Sequence, residues 1–238
     1  MSNIFRLDDN VALITGGGSG IGFEIARQFL SAGCQVVITG RTLSKLQNAK
    51  KKLGKNCHVI QNDVTHKSKH PALINQIETE IGKLDILVNN AGIHHKIPSI
   101  DVTNEEYQAV IDTNLNSVFS LSREALKVMV PRHKGSIINI SSMTALYGMP
   151  KVAAYSSSKT ALLGLSRSLA AEYSPSGIRI NSIAPGFIES EMLFNVINQD
   201  PERKQKIMNR TPMNRLGKPE EIGYAAVYLA SDASQFVT

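Results

Sequence analysis

Tyr155 and Lys159 stand four residues apart in Ala154-Tyr155-Ser156-Ser157-Ser158-Lys159. The Ala161-Leu162-Leu163-Gly164-Leu165 stretch that follows continues an amphipathic helical pattern. Positions four apart share one helix face, so the two side chains point the same way. A phenol titrates near pH ~10 in water. An ammonium beside it favours the phenolate and draws that value toward neutrality. A proton donor tuned in this way suits the interconversion of a carbonyl and an alcohol. Tyr-x-x-x-Lys pairs also occur by chance on helices. The pair therefore takes its meaning from what else the chain brings to it.

The elements that must position the pair are legible as an alternation. Val11–Thr15 is a short apolar run that fits a strand buried on both faces. Gly16-Gly17-Gly18-Ser19-Gly20-Ile21-Gly22 follows. A helical pattern then places Ile25, Ala26, Phe29 and Leu30 inward and stops at Gly33. Further strands are expected at Cys34–Thr39, Cys57–Gln61, Leu84–Val88, Ser136–Ile140 and Arg179–Ile183. Helices are expected at Leu43–Leu53, Lys67–Ile81, Tyr155–Tyr173 and Pro219–Ala230. A single long helix is expected from Thr103, its cap, to about residue 130, with Glu106 completing a capping box. Strands separated by helices imply a parallel sheet covered on both faces. The irregular stretch from about residue 185 to 218 is long enough to be a lid or binding loop.

The glycine turn has a chemical use. Gly16 permits the sharp exit from the strand, Gly20 lets a ligand approach the backbone, and Gly22 permits close packing of helix on strand. The helix start offers free N–H groups and a positive dipole end, which suit a pyrophosphate. A strand before the turn and a helix after it are the context such a motif requires.

Composition narrows the field. The 238 residues fit one large domain, 1–238, with an ample core. No stretch approaches the roughly 18 uninterrupted apolar residues of a membrane span. Met1–Asp9 lacks the basic and apolar regions of a leader, so a cytoplasmic protein with no membrane partner is expected. Cys34 and Cys57 read as buried reduced thiols. The net charge is +6 and the pI about 9.3, but the basic residues are scattered, aromatics make up only 5%, and no nucleic-acid motif occurs. No nucleic-acid partner is expected.

The glycine spacing is Thr-Gly-x-x-x-Gly-Ile-Gly. Asn89-Asn90-Ala91-Gly92 follows the fourth strand, and Ser142, Tyr155-x-x-x-Lys159 and Pro185-Gly186 come after in order. In this the chain resembles the short-chain dehydrogenase/reductase family from about residue 8 to 238, most closely the branch of 3-oxoacyl carrier-protein reductases and sugar or aldonate dehydrogenases such as gluconate 5-dehydrogenase. The resemblance implies a three-layer, Rossmann-type, doubly wound parallel sheet with strand order 3-2-1-4-5-6-7. It also implies a homo-oligomer, a tetramer or dimer. The pattern stops at Ala233–Thr238 where another strand is due, so the seventh strand is expected to lie beyond Thr238.

The resemblance also assigns residues. The catalytic tetrad falls on Asn114, Ser142, Tyr155 and Lys159. Tyr155 is the proton donor and acceptor, Lys159 lowers its pKa and holds the nicotinamide ribose, Ser142 hydrogen-bonds the carbonyl oxygen, and Asn114 holds a water in a proton relay. From the residues alone, Asn114 is either an exposed surface side chain or a break in helical regularity. Cofactor contacts fall on Gly16, Ser19, Gly20, Ile21, Gly22, Arg41, Asp63, Val64, Asn90, Ala91, Gly92, Tyr155, Lys159, Pro185, Gly186 and Ile188. Asp63 can cap a helix, contact an adenine amine, or do both. Asn89 fits a structural turn equally well.

The choice of dinucleotide rests on charge. An NAD site places an acidic residue at the end of the second strand. Here that place is Gly40, no acid occurs between Glu24 and Asp63, and Arg41 follows. A guanidinium there pairs with a 2′-phosphate, so NADP(H) is favoured and NAD(H) is the alternative. Substrate contacts are expected from Ser142, Tyr155, His94, Met143, Met149, Phe187 and a lid over about 187–215. The lid carries Met192, Leu193, Phe194 and Ile197. Adjacent histidines point apart and no carboxylate motif accompanies them, so His94 and His95 suggest no metal site. A rival reading is a regulator that binds NADP(H) without chemistry. A degraded tetrad would support it, and all four residues stand.

Overall fold

The structure, a computed structural model, describes residues 4–190, 193 and 201–238. Met192, Phe194 and Ile197 of the expected lid lie outside the described residues. Six strands form one parallel sheet: β1 (Val11–Thr15), β2 (Gln35–Gly40), β3 (Cys57–Gln61), β4 (Leu84–Asn89), β5 (Gly135–Ile140) and β6 (Ile178–Ile183). Their order is β3-β2-β1-β4-β5-β6, as the family resemblance implies for the first six. Each strand lies within one residue of its expected place. All of β1 and β4 is buried, which is why Val11–Ile14 reads as an apolar run rather than an alternation, while β4 holds the buried Asp85 among its apolar residues.

Alternate residues of the strands feed two cores. Ala12 and Ile14 of β1 join Ile25, Ala26 and Phe29 of α1 (Gly20–Ser31) and Leu46 of α2 (Leu43–Leu53). Val11 and Leu13 face the other way, onto Ile74 and Ile77 of α3 (His70–Glu80). Helix residues on both faces of one sheet give three layers. Cys34 and Cys57 are buried free thiols, and burial pushes Cys57 up to about 11. Among the described residues no helix is long and apolar enough to cross a membrane.

Two helices depart from expectation. The stretch expected as a helix from Lys67 opens with a short 3₁₀ turn, Lys67–Lys69, and α3 proper begins at His70 with Pro71 in its first turn. More consequentially, the single long helix expected from Thr103 is three pieces. α4 (Asn104–Ile111) and α5 (Ser117–Met129) are joined by a π-helical turn, Asp112–Asn116. The N-terminal expectation holds in detail. The Thr103 hydroxyl accepts from the Glu106 N–H at 3.1 Å and the Glu106 carboxylate accepts from the Thr103 N–H at 3.0 Å.

The remaining elements are α6 (Ala153–Tyr173), α7 (Pro201–Asn209) and α8 (Pro219–Ala230). β5 and β6 remain joined past their ends, where the Ser141 N–H donates to the Ile183 carbonyl at 2.7 Å and the Met143 N–H to the Pro185 carbonyl at 2.9 Å. Loss of one half of a capping box costs about 1 kcal/mol. Thr103→Ala should therefore lower the urea midpoint by that equivalent with an unchanged m-value. Glu106→Ala should do the same, and the double variant should fall short of the sum.

Candidate functional site

The glycine turn bends around Asn90. Gly16 has φ +68°, a conformation that L side chains rarely adopt. The Asn90 amide donates to the Thr15 carbonyl at 2.9 Å and to the Gly16 carbonyl at 3.3 Å. The Thr15 hydroxyl accepts from the Asn90 and Ala91 N–H groups, each at 3.0 Å. The ends of β1 and β4 are thereby tied into one ledge. A Cβ on Gly22 would come 2.6 Å from the Gly16 carbonyl, so helix and turn can close only because this position has none.

Beside that ledge lies a cleft of about 370 Å³. Its lining includes Gly16, Ser19, Arg41, Asp63, Val64, Asn90, Ala91 and Gly92, eight of the sequence-predicted contacts. Gly20, Ile21 and Gly22 form the first turn of α1 next to it, with nothing within 4 Å of where a Gly20 Cβ would stand. The lining also includes Lys45, Thr42, Asn62, Ile93 and Thr113, which sequence reasoning missed. Lys45, in the first turn of α2, gives the cleft a second cation beside Arg41, which precedes that helix. The main chain of Arg41 is held by the Gln61 amide, which donates to its carbonyl at 2.7 Å.

Asp63 does not cap a helix as expected: the next helical turn begins at Lys67 after His66, and the carboxylate closes its own turn instead. Its carboxylate accepts from the Thr65 N–H at 2.9 Å and hydroxyl at 2.8 Å. Burial works to raise its pKa, but those bonds and the His66 and Arg41 charges leave it below the usual carboxylate value. Asn89 is structural, donating to Asn139 at 2.8 Å and Ser122 at 3.1 Å inside the protein.

The π turn explains Asn114. Its side chain is fully buried rather than exposed, which settles the choice left open by the sequence. The carboxamide oxygen accepts from the Ile93 N–H and the nitrogen donates to the Ile93 carbonyl, both at 2.8 Å. The same nitrogen donates to Ser158 at 3.1 Å, and Ser158 donates to the Tyr155 carbonyl at 2.7 Å. A Cβ on Gly92 would stand 3.2 Å from the Asn114 oxygen and 3.6 Å from the Lys159 nitrogen. The cleft thus runs directly to Asn114 and Lys159.

Lys159 is 4% exposed, and its ammonium donates to the Ile140 carbonyl at 2.7 Å. Burial lowers its pKa to about 8. It stands 5.7 Å from the centre of the Tyr155 ring. The Tyr155 phenol is shifted up, chiefly by burial, with a hydrogen bond to Ser142 acting against the shift. The lowering by Lys159 that sequence reasoning anticipated is not found: the ammonium is directed at the Ile140 carbonyl, and burial of the phenol sets the direction. The Ser142 hydroxyl also accepts from the Thr144 N–H at 3.2 Å.

The expected substrate residues are dispersed. His94 is exposed, with its ring edge-on to Tyr155 at 5.7 Å between centroids. Among the described residues neither His94 nor His95 belongs to a group placed to hold a metal. Met143 and Met149 are half-buried in the loop between β5 and α6. Phe187 packs with Leu193, Ile207, Met208 and Leu216, a small cluster under the lid. Pro185 is buried behind Ser142, and Ile188 pairs with Gly217, so neither they nor Gly186 line the cleft.

Comparison with known proteins agrees with this geometry. Residues 16–238 match the model of a family described as enoyl-(acyl carrier protein) reductase. A 3-oxoacyl-[acyl-carrier-protein] reductase of Rickettsia bellii is 40% identical over 232 residues, 98% of this chain and 93% of that one. A 2-dehydro-3-deoxy-D-gluconate 5-dehydrogenase of Bacillus subtilis is 39% identical over 242 residues, 100% of this chain and 93% of that one. A crystal structure of gluconate 5-dehydrogenase from Burkholderia cenocepacia in complex with NADP and tartrate superposes with a TM-score of 0.92. It is 35% identical and covers 99% of this chain and 93% of that one.

The buried ammonium carries a stability signature. Lys159 titrates near 8 when folded and near 10.5 when unfolded, so between those values the unfolded chain binds more protons. Stability must then rise with pH across that window and carry the full penalty below it. At about 1.4 kcal/mol per unit, the gain is on the order of 3 kcal/mol. Denaturant unfolding of the parent and of Lys159→Met from pH 7 to 10 should show this rise in the parent alone.

Proposed function

The chain belongs to the short-chain dehydrogenase/reductase family, and from that premise we propose that it is an NADP(H)-dependent oxidoreductase interconverting a carbonyl and a secondary alcohol on a small substrate of the sugar, aldonate or 3-oxoacyl type. The observation that carries the reading is that a cleft lined by Arg41, Lys45 and Gly92 has Asn114 and Lys159 directly beside Gly92, with the Tyr155 ring 5.7 Å from the Lys159 ammonium. The relatives point the same way: the Burkholderia enzyme was crystallised with NADP, and the two curated relatives are a reductase and a dehydrogenase.

The residues present fit the cofactor. Arg41 and Lys45 would hold a 2′-phosphate, and the open start of α1 would hold a pyrophosphate. Asp63, with its carboxylate kept ionised, would accept from an adenine amine while still closing its own turn. When bound, the nicotinamide supplies a hydride in reduction and receives one in oxidation.

The protein's part is the proton. Tyr155 would give it to the carbonyl oxygen in reduction and take it from the alcohol in oxidation. Ser142 would donate a hydrogen bond to the same oxygen, where negative charge develops. Lys159, a buried cation below about pH 8, would hold the ribose hydroxyls. The Asn114 carboxamide is committed to Ile93 and Ser158, so a relay water would meet its main chain instead. Its side chain fixes the turn that joins the cleft to Lys159. Assembly as a homo-oligomer belongs to the same reading and is open to light scattering.

Nicotinamide absorbance followed over a panel of aldonates, sugars and 3-oxoacyl thioesters, with both cofactors, tests the activity. No turnover of any of them beside tight NADPH binding would leave the regulator standing. Tyr155→Phe should cut turnover by about 10³-fold, within the range of a lost general acid, while NADPH binding stays within about twofold. Arg41→Ala should raise the KM for NADPH about tenfold or more, the equivalent of a lost charged hydrogen bond, and barely change that for NADH. Equal effects on both cofactors would refute the 2′-phosphate assignment.

A further inference from the structure

Among the described residues four buried side-chain polar atoms have no hydrogen-bond partner. Two of them, the Thr39 hydroxyl and the Asn62 amide nitrogen, belong to residues that line the cleft beside the glycine turn. Thr39 is fully buried and Asn62 is 7% exposed. A buried donor without an acceptor costs free energy that an apolar side chain of similar size would not. Packing therefore does not account for an asparagine at position 62. A ligand in the cleft that offers an acceptor would.

The main chain holds Asn62 in place. It follows β3 directly, and its N–H donates to the Gly40 carbonyl at 3.0 Å. Next in the chain is Asp63, which lines the same cleft and has one carboxylate oxygen taken up by the Thr65 N–H and hydroxyl. Two consecutive residues of one wall thus present a carboxamide, with a donor and an acceptor, and a carboxylate that only accepts. A half-turn about the last side-chain bond exchanges the two ends of the carboxamide, so either can face the cleft. Adenine carries the complement of such a pair on one edge, an amine that donates beside a ring nitrogen that accepts, and an asparagine amide suits that nitrogen. The carboxylate of Asp63 would repel an anion at this place. That leaves a phosphate to Arg41 and Lys45 and the neutral base to Asn62.

We propose that Asn62 is a base-reading residue of the cleft, its amide donating a hydrogen bond to an adenine ring nitrogen next to the amine from which Asp63 accepts. The proposal rests on the nucleotide reading of the cleft. The donor is unpartnered in the cofactor-free protein and satisfied in the complex. Removing it must then weaken binding without weakening the fold.

Calorimetric titration with NADPH, NADH and 2′,5′-ADP, beside urea unfolding of the cofactor-free proteins, tests this on the parent and on Asn62→Leu, a change of similar size. Asn62→Leu should bind all three ligands about five- to tenfold more weakly, the loss expected of one buried hydrogen bond, because all three carry the base. Its urea midpoint should equal or exceed that of the parent. NADPH affinity within about twofold of the parent overturns the proposal. A loss confined to NADPH and 2′,5′-ADP also overturns it, since the amide would then serve the 2′-phosphate. So does a loss that comes with a lower urea midpoint, since the amide would then serve the fold. If Asn62→Leu does not fold, Asn62→Ala is titrated with the same three ligands, and parent-like affinity or a loss confined to the two 2′-phosphate ligands overturns the proposal. A parent that binds none of the three overturns it together with the nucleotide reading.

Discussion

The pairing of the Asn114 carboxamide with both polar groups of the Ile93 main chain is the constraint on which the site depends. A regular helix from Thr103 onward would not bring this side chain to that peptide. The π turn inserts one residue's worth of rotation and carries Asn114 out of the solvent-facing set into full burial. Once there, it fixes the segment after β4, which forms the end wall of the cleft, and reaches through Ser158 to the first turn of the helix that bears Tyr155. Three separate elements are aligned by one planar group whose donors and acceptor are all used.

The electrostatics follow from the same closeness. A lysine held 4% exposed next to the Ile140 carbonyl keeps its proton to about pH 8 rather than 10.5. Its charge is thus weakly held at working pH. A buried cation with a depressed pKa destabilises the fold below that pH, and a tyrosine in the same surroundings resists ionisation. The fold thus bears a penalty for a lysine whose protonation state can change near neutrality, while the tyrosine is moved away from it.

Much of this was legible in the chain. The strands were found to within a residue because a parallel sheet buries both faces and leaves apolar-rich runs such as that of β1. The Thr103–Glu106 box, the glycine turn and the four-residue spacing of Tyr155 and Lys159 are local patterns, and local patterns survive translation into structure. What was not legible depends on contacts between distant residues. Asn114 offered a break in helical regularity as one of two readings, but the choice rests on its partner, Ile93, 21 positions away. The direction of the Lys159 ammonium depends on a strand carbonyl, and Phe187 is placed by Ile207 and Leu216. Lys45 joins the cleft from the first turn of α2 while Arg41 precedes the helix, so no spacing rule tied the two.

The bonds that carry β5 and β6 together beyond the sheet have a consequence for divergence. Met143 is bonded to Pro185, and two residues further on Phe187 to Glu189 pair with Gly217. The segment that follows is therefore rooted at both ends in the same rigid frame that holds Ser142. On the proposed reading, substitutions or changes of length between those roots would alter what is admitted to the site without displacing Ser142, so that selectivity and reactivity would be separately heritable.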